Sequence, residues 1–132
     1  MDSAPLPEMP ALEDLAAREP GLELLVLFGS RGRGDARPVS DWDFGYLADK
    51  TFHPEAFLGR LVQTLGTERV DLADLERAGA LLRFRAAREG RAVHERTPGR
   101  FAEFWLAAVH FWCDAGPLIR EGYEANLASL RP

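Results

Sequence analysis

Three aspartates and a Gly-Ser pair carry the chemistry open to this sequence. Asp41 and Asp43 stand two apart in a stretch where Trp42, Phe44 and Tyr46 alternate with Asp41, Asp43 and Gly45. That alternation predicts a strand from Asp41 to Ala48. Residues two apart on a strand share a face, with Cα atoms about 6.5 Å apart. Two carboxylates so placed repel, and one pKa rises unless a cation sits between them. Oxygen-only ligands favour Mg²⁺ or Mn²⁺, and Mg²⁺ combines one or two carboxylates with substrate phosphates. A third carboxylate comes from Arg69 to Leu75, read as another strand with Asp71 and Ala73 on the face opposite Val70 and Leu72. If the two strands are neighbours, Asp41, Asp43 and Asp71 form the ligand set of a two-metal phosphoryl-transfer site. Asp74 is the rival third ligand. Alternation puts it on the other face from Asp71, and a helix N-cap before Leu75 also accounts for it.

A phosphate-binding turn stands beside these acids. Leu24 to Phe28 is a continuous apolar run ended by Gly29-Ser30, and ten residues separate Ser30 from Asp41. Such a run is a strand covered on both faces. Where it opens into a short helix, backbone N–H groups and the Ser30 hydroxyl can hold triphosphate oxygens, and Gly29 admits them without a Cβ in the way. Arg33, and less so Arg31, offers a guanidinium fork to phosphate or is a solvated loop charge. Ser40 either braces the turn before Asp41 or meets substrate. His53, His94 and His110 share no ligand spacing, and Cys113 reads as a small buried hydrophobe in a helix.

The elements that must position these groups follow from pattern. Residues 1–10 read as a disordered, proline-rich lead-in with neither the basic nor the apolar segment of a leader, and 11–132 as one domain with a catalytic core over about 11–96. A helix is expected from Ala11 to Arg18. Another is opened by Pro54, striped by Phe57, Leu58, Leu61, Val62 and Leu65, and closed by Gly66. A helix over about 79–89 leads to a short edge strand at Arg91–Glu95, and two C-terminal helices span about 98–114 and 118–130. The alternation of helices and strands describes a small mixed sheet with helices packed on it, an α/β (α+β) domain.

Composition narrows the functions. The chain has 132 residues, 46% hydrophobic and 28% charged, with a formal net charge of −5. That excludes wholesale disorder and gives no global attraction to nucleic acid or anionic membrane. One cysteine excludes an internal disulfide and any multi-cysteine metal site, which suggests a reducing, cytoplasmic setting. No run approaches the ~18 apolar residues of a membrane span. The helix near 98–114 carries Phe101, Phe104, Trp105, Phe111 and Trp112. This aromatic stripe reads equally as core and as partner surface.

Gly29-Ser30, Arg33-Gly34, Ser40-Asp41-x-Asp43 and Val70-Asp71-Leu72 together resemble the polymerase-β-type nucleotidyltransferases. Within that superfamily they resemble the minimal nucleotidyltransferases of HEPN/MNT toxin–antitoxin pairs. Leu82-Arg83-Phe84-Arg85, Glu89-Gly90-Arg91 and Asp114-Ala115-Gly116-Pro117 also match, so the resemblance covers roughly residues 11–125. Gly32, where alanine is usual, and Gly45 depart from the pattern without removing a ligand. The resemblance implies the polymerase-β-like fold followed by two C-terminal helices, ATP as donor and two Mg²⁺ (or Mn²⁺) ions held by Asp41, Asp43 and Asp71. It implies nucleotide contacts at Gly29, Ser30, Arg33 and Ser40, and AMP transfer to a tyrosine of a HEPN ribonuclease toxin that the protein also binds as antitoxin. Two rivals stand: an aminoglycoside-type transferase acting on a small alcohol, and an antitoxin acting by contact alone.

Overall fold

The computed structural model describes residues 6–114. Helix α1 (Met9–Ala17) is followed by β1 (Leu22–Phe28), the short α2 (Gly29–Arg33), β2 (Trp42–Ala48), α3 (Pro54–Leu65) and β3 (Val70–Asp74). Then come α4 (Ala80–Glu89), β4 (Arg91–Glu95) and α5 (Arg100–Asp114). The four strands form one sheet in the order β3-β2-β1-β4. β1 pairs antiparallel with both β2 and β4, while β2 and β3 run parallel. The mixed sheet expected from the sequence is thus present, and Arg91–Glu95 is its edge strand beside β1.

The run Leu24-Leu25-Val26-Leu27-Phe28 is buried throughout because it is a central strand between two helical layers. Leu25 and Leu27 join α1 and α3 in one core, with Leu12, Ala16, Phe57 and Leu61. Leu24, Val26 and Phe28 join α4 and α5 in the other, with Ala86, Phe104 and Ala108. The register shift between Leu22 and Leu24 turns Leu22 to the first core, out of simple alternation. Trp42 and Phe44 on β2 point to that same core, with Tyr46 packed at its margin, leaving Asp43, Gly45 and Leu47 for the α4/α5 side. Gly45 is required there: a Cβ would lie 2.7 Å from Leu75 Cδ2.

Several expectations shift by local chemistry. α1 begins at Met9, inside the expected lead-in, because Pro10 fits a helix's first turn, where its missing N–H is no loss. Asp41 precedes β2 and does not open it. Asp74 caps a turn and not a helix: it is the last residue of β3, and its Oδ1 accepts from the Glu76 N–H at 2.9 Å. Cys113 is exposed, not buried. The aromatic stripe divides: Phe104 is buried and Trp112 is 8% exposed, stacked on Phe84 at 4.6 Å, whereas Trp105 is 44% exposed and Phe111 and Leu106 lie open beside it. The expected helix at 118–130 falls outside the described residues. Among the described residues, no helix is long and apolar enough to cross a membrane.

Candidate active site

The parallel pairing of β2 with β3 sets the site. Asp43 lies opposite Asp71 in register, with Phe44 opposite Leu72 and Trp42 opposite Val70. Directly paired residues on neighbouring strands share a face. Both carboxylates therefore stand on the α4/α5 side, while Asp74, opposite Tyr46, stands on the other. On its second edge Asp43 pairs with Phe28, the last residue of β1. The end of β1 thus delivers the Gly29-Ser30 turn to Asp43. Asp41 and Asp71 are exposed and Asp43 is half-buried.

Gly29 takes φ +68, and a Cβ there would run into Asp43 Oδ2. Only glycine serves at such a φ with a carboxylate pressed against its Cα. The chain then makes the short turn of α2, and Gly34 at φ +88 closes it with its N–H on the Ser30 carbonyl at 3.0 Å. Gly32 is equally constrained, since a Cβ would lie 2.6 Å from the Leu27 carbonyl oxygen and 2.8 Å from that of Glu89. The departure from alanine at position 32 thus matches a turn wedged between the end of β1 and the end of α4.

The loop from Gly34 to Asp41 is held by arginines. Arg31 donates to the Ser40 carbonyl at 2.9 Å and the Pro38 carbonyl at 3.3 Å, and its guanidinium lies 4.2 Å from the centre of the Trp42 ring. Arg69 donates to the Val39 carbonyl at 3.0 Å. The Ser40 hydroxyl accepts from the Arg37 N–H at 2.8 Å, so in this structure it braces the turn. Arg33 pairs with Asp35 at 3.3 Å and with Glu89 at 3.1 Å. Burial works to lower the Arg33 pKa, but the hydrogen bond to Asp35 and the charge of Glu89 raise it above its ordinary value.

Electrostatics mark Asp43 as the strained group. Burial and then the facing Asp71 carboxylate push its pKa above the ordinary 3.8, with Asp41 and Glu89 adding to the rise and Arg85 opposing it. A half-buried carboxylate facing another acid calls for a cation. Among the described residues, no three His, Cys, Asp or Glu side chains are gathered closely enough to hold a metal ion by themselves. The set fits an ion of the Mg²⁺ kind, which takes one or two carboxylates and completes its shell with water and substrate phosphates. Two larger hollows of the surface, of about 530 and 360 Å³, are lined by Tyr46 and Asp74 and by Arg31 and Trp42, and neither includes Asp43 or Asp71.

The family model for polymerase beta nucleotidyltransferases matches residues 11–98. This chain belongs to that family. It is similar to the protein adenylyltransferase MntA of Aphanizomenon flos-aquae (strain 2012/KM1/D3), 28% identical over 116 residues, covering 75% of this chain and 77% of the relative. Its fold is also that of a solved toxin–antitoxin structure with AMP-PNP, at TM-score 0.67 and 23% identity, with 95% of this chain and 98% of that one covered. The same fold recurs in a solved structure of a tri-AMPylated Shewanella oneidensis HEPN toxin in complex with an MNT antitoxin. There the TM-score is 0.64 at 20% identity, over 93% of this chain and 95% of the other. As a family member the chain is a nucleotidyltransferase with the polymerase-β-like fold.

Arg85 and Glu89 are the site residues to which sequence reasoning gave no role. Their only signal was their place in the family's Arg-Phe-Arg and Glu-Gly-Arg segments. The fold brings both beside Asp43, because α4 packs across the end of β1.

Proposed function

We propose that this protein transfers AMP from ATP to a tyrosine of a HEPN-type ribonuclease toxin and acts as its antitoxin. The observation that carries the reading is the in-register pairing of Asp43 with Asp71, set against the Gly29 turn, in a chain of the nucleotidyltransferase family. The adenylyltransferase relative supports AMP as the group transferred, and the toxin–antitoxin neighbours support the partner.

On this reading Gly29 lets the backbone close on the triphosphate, and Ser30 offers its hydroxyl and N–H. Arg33 and Ser40 hold the turn and loop in shape around it. Asp41, Asp43 and Asp71 would hold two Mg²⁺ ions, which when bound neutralise charge on the reacting phosphate and lower the pKa of an acceptor hydroxyl. Asp71, exposed at the sheet edge, accepts the proton as the tyrosine oxygen bonds to the α-phosphorus and the bond to pyrophosphate breaks. Asp41 and Asp71 are exposed, which suits an acceptor hydroxyl presented by another protein, and the toxin–antitoxin neighbours support the toxin over a small alcohol. An ATP-dependent reaction and the single free thiol, Cys113, fit a cytoplasmic setting.

The test is to purify the protein with its cognate HEPN partner, add ATP and Mg²⁺, and map the partner by mass spectrometry. One or more AMP additions on a partner tyrosine are expected, and none with Asp43→Asn. Modification of an added small alcohol with the partner unmodified would overturn the protein acceptor. Neutralisation of the toxin by Asp43→Asn as complete as by wild type would favour action by contact alone.

A further inference from the structure

Arg31, Arg33 and Arg85 stand near the turn at Gly29-Ser30, besides the Arg91 that donates to its Gly32 carbonyl, and they differ in what they already hold. Arg31 donates from Nη2 to the carbonyls of Ser40 and Pro38, has its guanidinium carbon 4.2 Å from the centre of the Trp42 ring, and is tied down there, though its Nε is buried without a partner. Arg33 is gripped by two carboxylates, Asp35 at 3.3 Å and Glu89 at 3.1 Å. Arg85, on the last turn but one of α4, makes no hydrogen bond among the described residues. Its nearest carboxylate oxygen is Glu89 Oε1, 3.7 Å away, and its guanidinium carbon lies 5.8 Å from the centre of the Phe28 ring.

That position matters because Phe28 is the residue before Gly29 and the partner of Asp43 across the sheet. A guanidinium over Phe28 stands beside both the turn and the acids. Its charge also reaches Asp43, where it opposes the upward push of burial and Asp71. Glu89 stands behind it. The Glu89 side chain is only 13% exposed, Oε2 is taken by Arg33, and Oε1 is occluded without a hydrogen bond. The backbone at Glu89 is fixed against Gly32, whose carbonyl also accepts from Arg91 Nε at 3.1 Å. The turn and the end of α4 are therefore locked together, and Arg85 keeps its place relative to Ser30.

We propose that Arg85 is the residue that meets the phosphates beyond the reacting one, that Glu89 positions it, and that Arg33 is a brace of the turn and not a phosphate ligand. The proposal rests on the nucleotide reading of the turn. A guanidinium has five donors in a planar fork suited to phosphate oxygens. Arg85 can offer its donors without breaking a hydrogen bond among the described residues, whereas Arg33 would have to leave two carboxylates. Arg85 has no aspartate of the site within ion-pair distance, its carboxylate neighbour being Glu89. It therefore serves the polyphosphate tail, while the acids face the phosphate that reacts. A site with three aspartates repels a triphosphate, and one unspent positive charge on the tail side offsets part of that repulsion.

The test compares ATP and AMP binding to the full chain in Mg²⁺, by calorimetry for ATP and by competition for AMP. Arg85→Gln should weaken ATP about 10- to 100-fold, the scale of a hydrogen-bonded charge pair, and leave AMP within about twofold. Arg85→Lys, which keeps the charge, should fall between. Arg33→Gln should weaken both ligands alike, as loosening of the turn would. ATP affinity of Arg85→Gln within about twofold of wild type would overturn the assignment, and so would equal losses for ATP and AMP. Failure of the wild-type protein to bind ATP would remove the nucleotide reading itself and this assignment with it.

Discussion

Replacing Gly29 by alanine separates backbone strain from damage to the site, because the fold supplies its own control. Gly29 and Gly66 have nearly the same backbone, φ +68 and +70. A Cβ at Gly66 meets nothing within 4 Å, while a Cβ at Gly29 collides with Asp43 Oδ2 and lies 3.3 Å from its Cγ. The left-handed conformation costs an L-residue about 1–2 kcal/mol, so both alanine variants should lose that much stability in urea denaturation at neutral pH. The added collision at Gly29 is with the far end of a side chain that can rotate away. Its cost in stability is therefore small, but the rotation takes the Asp43 carboxylate from its place beside the turn. Calorimetric titration with ATP and Mg²⁺ should then show Gly66→Ala binding as wild type does and Gly29→Ala at least ~10-fold weaker, as expected for a lost charge-assisted contact. Equal affinities in the two variants would refute the reasoning, for they would show that the contact between Gly29 and Asp43 has no bearing on the ligand.

The two perturbed aspartates should respond to pH in opposite senses. The folded-state pKa of Asp43 is raised, so its ionised form costs stability; Asp43→Asn should raise the melting temperature at neutral pH, and the gain should vanish as pH falls below the ordinary 3.8. Asp49 is held at about 2 by its hydrogen bonds from Thr51 and then Arg96, so its contribution is full above 3.8 and is lost as pH falls through about 2. Carboxyl NMR titration of the two side chains reads both. On α5, Trp112→Ala should cost about 3–5 kcal/mol in thermal or urea unfolding, since the buried ring stacks on Phe84. Trp105→Ala, at a ring 44% exposed, should cost distinctly less than Trp112→Ala in the same assay. If the open face of α5 meets the toxin, Trp105→Ala should weaken the complex by about 2 kcal/mol in a binding titration.

The sequence carried most of the strand-borne part of the site and little of what the helices bring to it. The alternation around Phe44 and Leu72 set Asp43 and Asp71 each on the polar face of its own strand, leaving their meeting conditional on the strands being neighbours, and Gly29 was legible as the end of a buried strand. Asp41 was placed one residue too far into β2, since strand ends depend on pairing partners that a local pattern does not contain. Register was also beyond reach: that Asp43 faces Asp71, and not Ala73, follows from where α3 returns the chain. The roles of Arg33 and Arg85 were not separable from sequence, because both are arginines near glycines. The distinction lies in Asp35 and Glu89: both hold Arg33, at 3.3 and 3.1 Å, while Arg85 has Glu89 alone, at 3.7 Å. The aromatic stripe could not be sorted for a similar reason, as Trp105 and Trp112 differ only in which side of α5 faces Phe84.

The most direct test of the central claim follows the fate of individual phosphates. The protein and the HEPN-type partner proposed for it are incubated with Mg²⁺ and ATP labelled on either the α- or the γ-phosphate, and protein-bound label is counted. Label is expected on the partner from the α-position alone, with pyrophosphate released in equal amount, and no label from either position with Asp43→Asn. Label retained from the γ-position, or undiminished α-label in the Asp43→Asn protein, would contradict the claim.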